Sequence, residues 1–317
     1  MVRLYSDRKM LDHVPPPRHP ERPERLLHVL RHLERTGLDQ QVSWGQSRAA
    51  TDTELLRVHA PEYLAALEHA ASNSPAQIES DTWISPGSLD AARIAAGSAI
   101  AAIDDVLRGL SDRAFVLVRP PGHHALRDAP MGFCLFGNVA TAAAHAMKAH
   151  SLDRVLVFDW DVHHGNGTQD MFYENERVAF FSVHRYPFYP GTGAADETGT
   201  GVGLGWTKNL PLPHGTPRAD YLAAVRSRLE DFADKARPNL ILISAGFDAH
   251  AQDPVGDLGL EVEDFVQLTR LAIDIAETHA SGRVVSVLEG GYNVPILCGC
   301  VEAHLQTLLE YRGRAHS

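Results

Sequence analysis

Five short segments of this chain gather residues able to do chemistry. They are Arg119-Pro120-Pro121-Gly122-His123-His124, the run from Asp159 to Asn166, His184-Arg185-Tyr186, Gly246-Phe247-Asp248-Ala249-His250 and Glu289-Gly290-Gly291-Tyr292-Asn293. Asp161 and His163 stand two apart, so on an extended strand exit both side chains point to one side. Asp248, from another segment, completes a set of one imidazole and two carboxylates. Three protein donors with an open position is the pattern of a catalytic metal site, with Zn²⁺ as the expected ion. Oxygen-rich ligation is less selective than three imidazoles, which makes Fe²⁺ a competitor. Capping of loops or helices explains an isolated Asp well, but it explains D-x-H with a second strand-end Asp poorly.

The tandem His123-His124 follows a rigid Pro-Pro-Gly turn. A carboxylate on one ring nitrogen fixes an imidazole's tautomer and raises its basicity, and Asp159 is the candidate for that role. Asn166 can accept a hydrogen bond from the other ring without adding charge. Gly290 and Gly291 let the backbone turn sharply before Tyr292, whose phenol suits a developing oxyanion. Gly132-Phe133-Cys134 and Phe188-Tyr189-Pro190-Gly191 are aromatic loops able to wall a narrow channel. Cys134 has no separate base and reads as a buried small residue. Together these parts describe metal-assisted hydrolysis, with a His taking the water proton and an amide as the natural substrate.

The elements that must carry these segments are legible as well. Apolar, β-branched runs at 114–118, 155–158, 178–183, 240–245 and 284–288 lack period-2 alternation and are separated by helical stretches. That is the signature of strands buried on both faces of a parallel sheet. Helices are expected over 85–107, 139–149, 168–174, 218–235, 263–278 and 294–311, with earlier ones around Leu26–Leu33 and after Pro61. The fold class is therefore α/β, a central parallel sheet flanked by helices. In such a sheet the strand C-termini share one edge, where ligands bind, so the five segments should converge there.

Composition agrees. The chain has 317 residues, 44% hydrophobic and 22% charged, with 29 Lys+Arg against 40 Asp+Glu and a formal charge of −11. This is a globular composition, and residues 1–317 read as one catalytic domain. The acidic balance argues against a nucleic-acid partner. No apolar run is long enough for a membrane span, and the polar start MVRLYSDRKM is unlike a signal peptide. Three cysteines form no disulfide framework, which points to the cytoplasm. Cys298 and Cys300, two apart in the last helix, share no helical face and have no assigned role.

At these residues the sequence resembles the histone deacetylase family in its broad sense, including bacterial acetylpolyamine amidohydrolases. The matching motifs are HPERPERL (19–26), DTWISPGSLDAARIAAG (81–97), RPPGHHA (119–125), GFCLFGNVA (132–140), FDWDVHHGNGTQ (158–169), YPGTG (189–193), AGFDAH with DPVG (245–256) and EGGYN (289–293). They cover nearly the whole chain in the family's order, and HHGNGTQ points to the class II-like bacterial branch. The resemblance implies the arginase/deacetylase fold and zinc-dependent removal of acyl groups from lysine side chains. It implies Asp161, His163 and Asp248 as zinc ligands, His123 and His124 as the catalytic histidines with Asp159 behind the first, and Tyr292 as the transition-state tyrosine. Phe133 and Tyr189 match the channel walls, with Gly132 and Gly290 also expected at the substrate. Asp81 matches a rim residue that holds the substrate backbone, and Arg25 matches an arginine behind the site. A structural K⁺ is implied at carbonyls of the strand bearing Asp159, Asp161 and His163, with Ser182 and Val183 opposite.

Val255 departs from one branch of that pattern. Polyamine-selective relatives can carry an acidic residue at this gate to pair with a cationic amine, and Val255 offers none. That favours an acylated lysine in a peptide or protein over an acetylated polyamine or other small amine. A non-catalytic acyl-lysine binder would not require all six of Asp161, His163, Asp248, His123, His124 and Tyr292. A binuclear, arginase-like Mn²⁺ hydrolase would need more carboxylates than D-x-H plus one Asp. A homo-oligomer is compatible with everything above.

Overall fold

The computed structural model describes residues 1–313. In chain order the strands and helices are β1 (Val2–Tyr5), α1 (Glu24–Thr36), β2 (Ser43–Trp44), α2 (Asp52–Leu55), α3 (Pro61–Ser72), β3 (Ala76–Gln77), β4 (Trp83–Ile84), α4 (Ser88–Leu107), β5 (Arg113–Val116), α5 (Asn138–Ala149), β6 (Val155–Asp159), α6 (Asn166–Phe172), β7 (Val178–Arg185), β8 (Thr207–Leu212), α7 (Arg218–Ala236), β9 (Leu240–Ala245), α8 (Val262–His279), β10 (Val284–Leu288) and α9 (Val294–Glu310).

Eight strands form one sheet in the order β2-β1-β5-β10-β9-β6-β7-β8, and every pairing is parallel. The five strands expected from sequence are its central neighbours, β5-β10-β9-β6-β7. Every residue of β5, β6, β9 and β10 is buried, which is why they read as unbroken apolar runs. Helices cover both faces of such a sheet. The Ala-rich α4 lies so close to its neighbours that a Cβ on Gly97 would come within 2.1 Å of the Arg48 carbonyl oxygen.

Three strands of this sheet were not expected, nor was the separate antiparallel pair of β3 and β4. β1 arises from the polar-looking start, where Val2, Leu4 and Tyr5 are nevertheless buried between β2 and β5. β8 closes the far edge and is only partly buried, and β2 is two residues long at the other edge. Helix α4 begins at Ser88 rather than residue 85, because Gly87 has φ +88° and ends any helical run before it.

Candidate active site

The sheet brings the five segments to one edge. Asp159 ends β6, while His123 and His124 follow β5, Asp248 follows β9 and Tyr292 follows β10. His184 and Arg185 end β7 itself, but His184 bonds the Ser182 hydroxyl and the Gly193 carbonyl, and it is Phe188 and Tyr189 in the following loop that reach the cavity. The donor atoms of Asp161, His163 and Asp248 lie within 4.8 Å of one another, and all three residues are buried. His163 Nδ1 is 3.0 Å from Asp161 Oδ1 and 3.2 Å from Asp248 Oδ2. The carboxylates are oriented from behind: Gly290 N–H donates to Asp161 Oδ2 at 2.8 Å, and Val162 N–H donates to Asp248 Oδ1 at 2.9 Å.

This pocket fits a cation. Asp248 Oδ2 is buried and, apart from its 3.2 Å approach to His163 Nδ1, has no polar partner. Burial, then the like charge of Asp161, pushes the Asp248 carboxyl up to about 7. Space is reserved for the group: a Cβ on Gly290 would fall 2.0 Å from Asp248 Oδ2, and one on Gly246 would fall 2.1 Å from Asp161 Oδ2. Gly290 thus lies beneath the carboxylates rather than along the cavity wall.

The two histidines are in different electrostatic states. His123 Nδ1 sits 3.0 Å from Asp159 Oδ2. Burial lowers its pKa, but Asp161 and then Asp159 outweigh burial and lift it to about 10. His124 Nδ1 lies 2.7 Å from Asn166 Oδ1, an oxygen that only accepts, so the proton is on Nδ1 and Nε2 carries the lone pair. Burial, then the charges of His123 and His163, holds His124 well below the ordinary histidine value. The rings are 4.0 Å apart, and Gly132 leaves room for His124, since a Cβ there would reach 2.3 Å from its Cδ2.

A cavity of about 220 Å³ leads to this group. His124, His163 and Tyr292 line it, Phe133, Phe188 and Tyr189 supply aromatic surface, and Asp81, Gly132 and Val255 also face it. The Phe188 ring stacks on His163 at 5.3 Å and 16°, and the Arg185 guanidinium covers the Phe188 ring at 4.2 Å. Phe133 meets Tyr292 edge-on at 5.8 Å. Burial raises the Tyr292 phenol well above its ordinary pKa, although Arg25, 4.8 Å from the ring centre, opposes this. The phenol therefore stays a proton donor. Arg25 also donates to the Gly291 carbonyl at 2.6 Å and to the Glu289 carbonyl at 2.5 Å, which fixes the turn before Tyr292. Ser182 is buried beside Asp159 in the β6–β7 ladder, with Val183 next along β7.

Two carboxylates matter here without having been singled out from sequence. Glu289 Oε2 accepts the N–H of Gly122 at 2.6 Å and of His123 at 3.2 Å, clamping the histidine turn to β10. Asp253 accepts Val255 and Gly256 N–H on Oδ1 and Tyr292 and Asn293 N–H on Oδ2. Both act on backbone, and backbone acceptors leave no side-chain pattern to read.

Comparison with known proteins decides the family, because the histone deacetylase domain model matches residues 19–308. The chain belongs to the histone deacetylase family. It is a hydrolase acting on amides, with the arginase/deacetylase fold. A probable deacetylase of Archaeoglobus fulgidus is 41% identical over 90% of this chain and 79% of its own length. A histone deacetylase-like amidohydrolase of Pseudomonas aeruginosa is 40% identical over 92% of this chain and 77% of its own length. The human polyamine deacetylase HDAC10 is 42% identical over 91% of this chain but only 44% of its own length. Among solved structures, the HD domain of HDA15 superposes with a TM-score of 0.93 at 36% identity, covering 97% of this chain and 88% of that one. No described helix of this deacetylase family member is long and apolar enough to cross a membrane.

Proposed function

We propose that residues 1–317 form one Zn²⁺-dependent domain that hydrolyses the amide of acylated lysine side chains, releasing acetate from acetyl-lysine. The observation that carries this reading is the narrow aromatic cavity with Asp81 and Val255 facing it, which leads to His124, His163 and Tyr292. Its walls suit an aliphatic lysine stem, and its inner residues suit an amide.

Asp161, His163 and Asp248 would hold the zinc, with Fe²⁺ as the competing ion. The ion supplies Lewis-acid polarisation of the amide carbonyl and acidifies a water. His124 Nε2 accepts the water proton, because Nδ1–H is committed to Asn166. The water oxygen adds to the carbonyl carbon while Tyr292 donates its O–H to the oxygen gaining charge. His124 then returns the proton to the leaving nitrogen, the C–N bond breaks, and a carboxylic acid and an amine result, the acid's remaining proton ending on the amine to give carboxylate and ammonium. His123, paired with Asp159, contributes positive charge beside the reacting centre. Asp81 takes the role of holding the substrate backbone at the rim, and Phe133, Tyr189, Gly132 and Val255 those of channel and gate. A structural K⁺ at the carbonyls of the strand carrying Asp159, Asp161 and His163, with Ser182 and Val183 opposite, belongs to the same proposal. The three cysteines are all free and buried, which suits a reducing cytoplasm.

A second reading, deacetylation of polyamines, has its own support. The Asp81 carboxyl shares hydrogen bonding with Glu79 near the cavity, which is acidic surface for a cationic amine, and the human relative is named for polyamines. Rates of Zn²⁺-loaded protein on an acetyl-lysine peptide, N-acetylputrescine and N-acetylspermidine separate the two. Preference for the peptide is expected, and preference for the polyamines would reverse the assignment.

A further inference from the structure

A second cluster of metal-type donors lies away from the crevice. Asp104 is near the end of α4, His145 is in the last turns of α5, and His150 caps α5. His145 Nε2 is 2.8 Å and His150 Nε2 is 2.7 Å from the same oxygen, Asp104 Oδ1. The three donor atoms lie within 4.8 Å of one another, the only such group besides Asp161–His163–Asp248 among the described residues. Both helices return the chain to the starts of strands β5 and β6. Their C-termini therefore lie at the sheet edge opposite the one that carries the crevice. The cluster is half-open, with His150 19%, Asp104 18% and His145 8% exposed, so water can fill further coordination positions.

We propose that Asp104, His145 and His150 form a second metal site, independent of the crevice, for a divalent transition ion of the Zn²⁺ or Co²⁺ type. Two imidazoles and one carboxylate are the donor set such ions prefer, and three protein ligands leave room for water. The two rings stand at 61° with centroids 5.7 Å apart, so their nitrogens approach one point from different directions.

Without the ion, the network is self-consistent. Each Nε2–H donates to Asp104 Oδ1, and His145 Nδ1 accepts from Arg57 Nη1 at 2.7 Å. Binding through Nε2 moves the ring protons to Nδ1. For His145 the new acceptor is already nearby: Glu54 Oε1 lies 3.8 Å from Nδ1, and the half-exposed Arg57 has solvent to turn into. A carboxylate behind a ligating histidine orients the ring and raises its basicity. The neighbouring charges are mixed. Arg108 is 4.0 Å from Asp104 Oδ2, and Arg48 pairs with Glu54 at 2.6 Å. Two carboxylates thus offset part of the local arginine charge. Occupation would tie the C-termini of α4 and α5 together.

The test compares wild type, His150→Ala and Asp161→Ala. Each is titrated with Co²⁺, followed by its visible absorption bands, and metal is counted by elemental analysis after dialysis. His150 sits at a helix end and is partly exposed, so its replacement should leave the fold intact, which the melting temperature checks. The expected result is one fewer metal per chain in His150→Ala than in wild type, with amide hydrolysis unchanged. Asp161→Ala should keep the metal that His150→Ala loses. Asp104→Asn, which keeps the side chain's shape, should repeat the His150→Ala loss. Equal metal content in wild type and His150→Ala would overturn the proposal. So would loss of every metal in Asp161→Ala, because both ions would then belong to the crevice.

Discussion

The Asp253 carboxylate accepts the main-chain N–H of Tyr292 at 2.6 Å, and its other oxygen accepts the N–H of Val255 at 2.9 Å. One buried side chain thus fixes both the phenol at the inner end of the cavity and the apolar residue proposed as its gate. Replacing it leaves four backbone donors short of an acceptor and frees the Tyr292 turn to drift. A displacement of about 1 Å in a positioned group can cost about 10²-fold in rate. Asp253→Ala should therefore reduce kcat by about 10–100-fold, with metal content unchanged. It should also weaken discrimination between peptide and polyamine substrates, because Val255 shifts too. A purely structural role would lower the melting temperature while leaving kcat and selectivity of the folded fraction unchanged, and those measurements separate the two.

Tyr292→Phe isolates the phenol itself. The ring remains packed against Phe133, and Asp161, His163 and Asp248 are untouched. Loss of one oxyanion donor typically costs about 10²–10³ in turnover, so that is the expected reduction, with metal retained. Wild-type turnover in this variant would remove Tyr292 from the mechanism. Asp161→Ala should behave in the opposite way and lose the crevice metal, which elemental analysis reads directly.

Val255 tests the substrate assignment. Its side chain faces the cavity with Phe133, Phe188 and Tyr189, so a carboxylate placed there meets an incoming chain. Val255→Glu should shift the rate ratio toward N-acetylspermidine and away from the acetyl-lysine peptide. The ratio of kcat/KM values is the measurement, and an unchanged ratio would show that selectivity is set by another loop or by a partner subunit.

What the sequence made legible follows from physics. Strands buried on both faces must be apolar along their whole length, so β5, β6, β9 and β10 stand out, and the polar residues ending them stand out by contrast. Edge strands relax that demand. The partly buried β8 and the two-residue β2 carry no unbroken run and escape notice. In the crevice, residues whose type announces chemistry were legible: Asp161, His163, Asp248, His123, His124 and Tyr292. Asp253 and Glu289 were not, because they act by accepting backbone N–H groups, and which N–H groups come near is a property of the fold. Gly290 was legible as a turn former, but its closeness to Asp161 and Asp248, like that of Gly246 to Asp161, appears only in three dimensions.

Buried neutral histidines should make the fold acid-sensitive. His59 bridges two loops: Nδ1–H donates to the Leu126 carbonyl at 3.0 Å, and Nε2 accepts the Gly137 N–H at 3.0 Å. The bridged segment includes Gly132 and Phe133 of the cavity wall. Burial dominates the electrostatics and lowers the His59 pKa to about 4. His304 lies between the Thr269 and Ser286 hydroxyls, where burial lowers its pKa to about 3. Both folded values lie below the ordinary value of 6.5. The unfolded chain therefore binds these protons first as pH falls. The stability at stake is fully present above about pH 6.5 and is lost progressively below it, down to the folded values. For His59 alone the interval is worth about 3 kcal/mol, at about 1.4 kcal/mol per pKa unit. His59→Gln keeps an amide donor and acceptor but adds no titrating group. The stability difference between wild type and His59→Gln, from denaturant midpoints across pH 4–8, should be flat above about pH 6.5 and should move in favour of the variant as pH falls toward 4. A difference independent of pH would mean that His59 does not titrate on unfolding in this range, and the acid sensitivity would then have to come from other groups.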